Sequence, residues 1–223
     1  MATSVPATAS APVKPRLRGV SHEVAFYVAV ALGVALVLTA PGGRARVTAA
    51  IYAVGVCGLF GISGLYHRHT WTTERSRAWM RRLDHSMIFV FIAATYTPVS
   101  VVGMHGTLAT VLLIVVWSGA SAGVAQSLIW PHAPKWLTAM IYIALGWVAV
   151  AAMPQLWDDI GPWSVLGLAT GGVLYTGGAV VYARGRPDPR PLVFGYHEIF
   201  HACVVVAAAT HYAVIAFAVL PRG

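Results

Sequence analysis

Five side chains in this sequence are of the types that hold a metal ion and move protons beside it: the imidazoles of His67, His197 and His201, the carboxylate of Asp84 and the hydroxyl of Ser63. His197 and His201 stand four apart, one turn up the same face of a helix, which is the spacing at which two imidazoles share an ion. Ser63 precedes His67 by the same interval and shares its face. Three neutral imidazoles with a fourth position left to water are a common catalytic zinc arrangement, in which zinc lowers the pKa of that water toward 7. Asp84 then serves as acceptor for the water or as general base, and Ser63 steadies a ligand or a developing oxyanion.

The elements that must bring these groups together are set by composition. With 58% apolar and 10% charged residues and a mean hydropathy of +0.71, a chain of 223 residues does not fold in water without exposing a large apolar surface. It reads as an all-α integral membrane protein. Apolar runs of roughly 20 residues, the length that crosses a bilayer, occur at about 24–40, 47–67, 85–103, 107–128, 136–153, 161–183 and 197–219. They predict a seven-transmembrane helix bundle over 20–223, preceded by a disordered cytoplasmic tail over 1–19. The first span is expected to act as an uncleaved anchor. Cys57 and Cys203 fall inside apolar runs and read as small core residues.

Lysine and arginine set the orientation. The tail and the second, fourth and sixth linkers hold twelve of them, and the opposite side holds only Arg44, Arg46 and Arg222. Twelve against three places the N-terminus in the cytoplasm and the C-terminus outside. Anionic headgroups at the cytoplasmic face account for the net charge of +8, and no nucleic-acid partner is required. With seven spans, the end of the second and the starts of the third and seventh all face the cytoplasm. Ser63, His67, Asp84, His197 and His201 therefore fall at one depth on one side, where burying ionisable groups is expensive and marks function.

Other polar residues have plainer accounts. His211 lies ten residues past His201, off the ligand face. His85 points away from its neighbour Asp84; His22, His69, His105 and His132 fall in tails or linkers, and Asp158 and Asp159 in an external linker. Gly55, Gly58, Gly61 and Gly64, with the pairs Gly119/Gly123 and Gly167/Gly171, mark close helix approach. Trp71, Trp79, Trp130, Trp136, Trp157 and Trp163 gather near span ends as an interfacial belt.

A local reading competes with this one. His197-Glu198-Ile199-Phe200-His201 fits the zinc-protease signature, with Glu198 as general base. Intramembrane proteases of that type take a third ligand from an Asp in a later span, and no acidic residue follows Glu198.

The strings Ser63-Gly-Leu-Tyr-His67, Leu83-Asp84-His85-Ser86 leading to Ala94-Thr95-Tyr96-Thr97-Pro98, and Tyr196-His197-Glu198-Ile199-Phe200-His201 resemble those of the hemolysin III family. That family is grouped with the adiponectin and progestin receptors and, more distantly, the alkaline ceramidases. The resemblance implies zinc held by His67, His197 and His201, with Asp84 close to a zinc-bound water, Ser63 in the same motif, and residence in a bacterial-type plasma membrane. Glu198 matches the bacterial members, whereas the adiponectin receptors have Gln there, which argues against an indispensable role. Three functions follow as expectations: a zinc-dependent hydrolase of lipid amide or ester bonds with its substrate in the bilayer, a receptor or membrane-homeostasis regulator with structural zinc, and a pore-forming cytolysin. The last has the least physical support, because no polar stripe along the spans is available to line an aqueous channel.

Overall fold

The computed structural model describes residues 14–223, so the expected tail lies outside the described residues as far as residue 13. In chain order the helices are α1 (Val20–Thr39), α2 (Gly43–Arg68), α3 (Glu74–Val101), α4 (Gly106–Ile129), α5 (Lys135–Gly146), α6 (Met153–Ile160), α7 (Pro162–Arg184) and α8 (Tyr196–Val214). A 3₁₀ turn, Trp147–Ala152, joins α5 to α6 into one interrupted rod, and α8 continues through irregular turns to Arg222. Among the described residues this makes seven helical rods, and six are long and apolar enough to cross a membrane. The seventh, α3, carries a charged first half and turns Asp84, Ser86, Thr95, Thr97 and Ser100 inward.

Neighbours in sequence are neighbours in space. α1, α2, α3 and α4 pack in succession, the α5–α6 rod lies against α7, and α8 packs on α7 and closes onto α1. Small residues make these approaches possible. A side chain at Gly55 would meet Ala94 of α3, and one at Gly64 would stand 3.1 Å from the backbone of Glu23 in α1. The two faces of α2 thus seat different partners. Gly119, Gly123, Gly167 and Gly171 likewise abut side chains of neighbouring rods. The outer surface carries exposed apolar residues such as Tyr27, Leu38, Ile129, Trp163 and Phe217, an area that water does not tolerate and lipid does. Together these features define an integral, multi-pass membrane protein.

Three boundaries differ from the sequence reading. α1 begins at Val20, a turn before the expected span, and extends the inward stripe of Ala25, Ala29, Gly33 and Leu36 back to His22. α3 begins at Glu74, because the Thr73 hydroxyl accepts the Ser76 N–H at 3.1 Å and caps the helix eleven residues ahead of the expected start. The fifth rod runs to Ile160, so Asp158 and Asp159 stand in α6 and not in a linker.

The interruption of that rod frees backbone groups where no water is available to satisfy them. Tyr96 of α3 supplies both partners. Its hydroxyl donates to the Gly146 carbonyl at 2.7 Å and accepts the Ala149 N–H at 2.8 Å. The broken rod borders an internal cavity of about 160 Å³ that Asp84 and Ser100 of α3 both line. Sixteen residues of helix separate those two, so the cavity extends about 24 Å along α3. Between its ends the wall is apolar, formed by residues such as Leu59, Ile92, Val150 and Leu168.

Candidate metal centre

His67 arrives from the last turn of α2, and His197 and His201 from the first two turns of α8. Among the described residues they form the group able to hold a metal ion, with one ligand atom of each within 4.8 Å of the others. The Nε2 atoms of His67 and His197 are 3.1 Å apart. Two nitrogens on a tetrahedral zinc at about 2.0–2.1 Å stand about 3.3 Å from one another, so the pair is at ligand spacing. His67 and His201 are 8% and 1% exposed, and the Nδ1 of His201 has no hydrogen-bond partner. Buried imidazoles converging with unspent nitrogens fit a zinc ion.

Asp84 comes from α3, with Oδ2 3.8 Å from His67 Nε2. Ser63 lies on α2 one turn before His67, and its hydroxyl faces the Asp84 carboxylate. Both line the end of the cavity where His197 and His201 also stand. The five residues expected at one depth are thus brought together, four of them lining one end of the cavity and His67 adjoining them through His197 and Asp84.

Glu198 goes elsewhere. It occupies the third position of α8, where its Oε2 accepts the Gly195 N–H at 2.8 Å in the manner of a capping carboxylate, and Oε1 takes the guanidinium of Arg18. Both oxygens are spent on structure, which removes the geometry that a protease general base requires.

The segment that delivers Arg18 is ordered by its own bonds. The N–H groups of Arg16 and Leu17 donate to the carbonyls of Leu192 and Val193 at 2.9 and 3.1 Å. Residues 16–19, placed by the sequence reading in the tail, thereby form a turn against the loop before α8. Gly19 ends it at φ +82°, where a side chain would stand 2.5 Å from the Cβ of His67. Only glycine allows the chain to pass so close to the metal group.

Sequence reasoning missed one site residue, His22. It is 2% exposed, it lines the same cavity, and its ring stacks on that of His201 with centroids 3.7 Å apart. The signal was present in the stripe of small residues beginning at Ala25, which places His22 on the same inward face one turn earlier. His85 also lines the cavity, and its backbone carbonyl accepts the Tyr142 hydroxyl at 3.1 Å. The His211 Nε2–H donates to the Leu168 carbonyl at 3.0 Å, away from the ligand face as expected.

A multi-pass helical membrane protein with three histidines, an aspartate and a serine at one end of an apolar cavity is the class that fold and site define. A family model described as haemolysin-III related matches residues 11–212, and the chain belongs to that family. It is 28% identical over 149 residues to the hemolysin-3 homolog of Bacillus subtilis (strain 168), covering 67% of each chain. To hemolysin-3 of Bacillus cereus it is 30% identical over 139 residues, covering 62% of this chain and 61% of that one. The heptahelical transmembrane protein ADIPOR2 of Oryza sativa subsp. japonica is 29% identical over 180 residues, covering 74% of this chain and 79% of that one. The chain spans about two thirds of the length of the Bacillus relatives.

Proposed function

We propose that this protein is a zinc-dependent hydrolase acting on amide or ester bonds of membrane lipids at the cytoplasmic leaflet. One observation carries the reading: three imidazoles at ligand spacing, with a free carboxylate beside them, stand at the end of a long apolar cavity. His67, His197 and His201 are the ligands. Zinc held there supplies Lewis-acid polarisation of a carbonyl and acidifies water to near neutrality. Asp84 takes the proton from the attacking water and returns it to the leaving amine or alcohol. Ser63 donates a hydrogen bond that orients the Asp84 carboxylate. The apolar wall holds the aliphatic chain and places the scissile bond beside Asp84, so that position is fixed by the cavity and not by the headgroup.

All seven rods cross the bilayer in this reading, with the N-terminus cytoplasmic, as the distribution of lysine and arginine requires. The rice relative's description as heptahelical is consistent with that count. In this reading the membrane is a bacterial-type plasma membrane, whose anionic headgroups meet the basic linkers. The Bacillus proteins are named hemolysins, yet an apolar wall gives a permeating ion nothing to replace its hydration.

Metal analysis of the purified full chain and a His67→Ala variant tests the centre. Zinc near one equivalent per chain is expected in the wild type and near none in the variant. Absence of stoichiometric metal from the wild type would overturn the reading. The rival in which zinc only ties α2 to α8 shares the three ligands and is separated by Asp84, as set out below.

A further inference from the structure

An imidazole that binds a metal is ordinarily oriented through its other ring nitrogen, which donates to a carboxylate, a backbone carbonyl or water. Packing against the faces of the ring is a second way to fix its plane, and His201 has it.

His22, from the first turn of α1, supplies a flat surface on one face of it. The two rings are 3.7 Å apart and within 10° of parallel. Phe60 of α2 meets the His22 ring edge-on at 5.1 Å and holds it in turn. On the other sides, His67 and His197 present their edges to His201 at 5.1 and 4.6 Å. The contact is a close, nearly cofacial stack, with both members almost fully buried. His22 itself is not among the residues whose ligand atoms converge. A parallel ring keeps its nitrogens in its own plane and does not aim them across the stack.

We propose that His22 is a positioning residue that sets the plane of His201 by ring stacking, so that α1 contributes to the metal centre without contributing a ligand. The proposal rests on the reading of His67, His197 and His201 as a metal site. It gives a reason for an ionisable residue buried in the first turn of α1 beside the metal group. The face of the ring does the positioning, and the nitrogens need no partner to do it.

The test uses the full chain in lipid nanodiscs and three variants: His22→Phe, which keeps a stacking ring, His22→Leu, which fills the space without one, and His22→Ala. Zinc affinity is measured by competition with a chromophoric chelator, and the visible absorption of the cobalt(II) form reports ligand geometry. The Leu and Ala variants should bind zinc about 10–100-fold more weakly, the usual consequence of losing the group that orients a ligand, with an altered cobalt spectrum. The Phe variant should restore both to the wild-type values. Wild-type affinity in the Leu variant would overturn the proposal, as would a Phe variant as weak as Ala, which would assign the role to the nitrogens. Failure of the wild type to take up either metal would instead overturn the metal centre itself and this proposal with it.

Discussion

Asp84 and Glu198 are two carboxylates at the same end of the bundle, 9% and 3% exposed, and their surroundings give them opposite work. Glu198 is saturated: one oxygen caps α8 at the Gly195 N–H and the other holds the Arg18 guanidinium. Among the described residues Asp84 has no cationic side chain at salt-bridge distance other than the His67 imidazole, 3.8 Å away; the Ser63 hydroxyl faces it, and it opens onto the cavity. A carboxylate already committed to a cap and an arginine has no lone pair to spend on a proton in transit. One that is buried and holds only the Ser63 hydroxyl has lone pairs to spare, and burial of this kind is sustained only where it serves something. The lesson is that burial and charge do not mark the catalytic acid; unspent hydrogen-bonding capacity does.

Replacing the two residues breaks or sharpens that contrast. The largest effect is expected for Asp84→Asn, which should cut hydrolysis of a fluorogenic N-acyl lipid about 10²–10⁴-fold, the usual share of a general acid or base, while zinc stays near one per chain. Unchanged turnover would leave the zinc as a structural tie and erase the distinction between the carboxylates. Glu198→Ala should act on stability instead: about 1–3 kcal/mol is lost when a buried partner is removed and the N–H and guanidinium are stranded. Thermal unfolding in detergent checks this, with zinc content unchanged at saturating metal. Glu198→Gln is the mildest. Its amide oxygen still accepts the Gly195 N–H, so the cap survives, but its NH2 faces the Arg18 guanidinium donor to donor, for an expected cost of about 1–2 kcal/mol, at the lower part of the Ala range. A collapse of turnover in Glu198→Gln with zinc retained would make Glu198 the proton carrier and reverse the comparison.

Local pattern and tertiary contact divide the site in a physically simple way. His197 and His201 were legible as a pair because helical periodicity alone puts residues four apart on one face. His67 and Asp84 were legible at one remove, because the order of the spans brings their ends to the same side. The partner of Glu198 was not legible, since Arg18 lies 180 positions away and reaches it through a turn hung on Leu192 and Val193. His22 was hidden for a related reason. Its sequence neighbours include Glu23 and Ser21, which place it at the polar edge of the first run, and it becomes buried surface only where α1 meets Phe60 of α2 and His201 of α8.

The sequence by itself determined that the chain is helical, lies in a membrane and carries three histidines and an aspartate where metal chemistry is possible, because apolar run length and four-residue spacing are properties of one segment at a time. Tertiary structure alone decided which carboxylate is free, what lies against His201, and that Tyr96 repairs the break in the fifth rod beside an apolar cavity. Those facts depend on which hydrogen-bonding groups are left over once all the helices have packed, and no single segment contains that information.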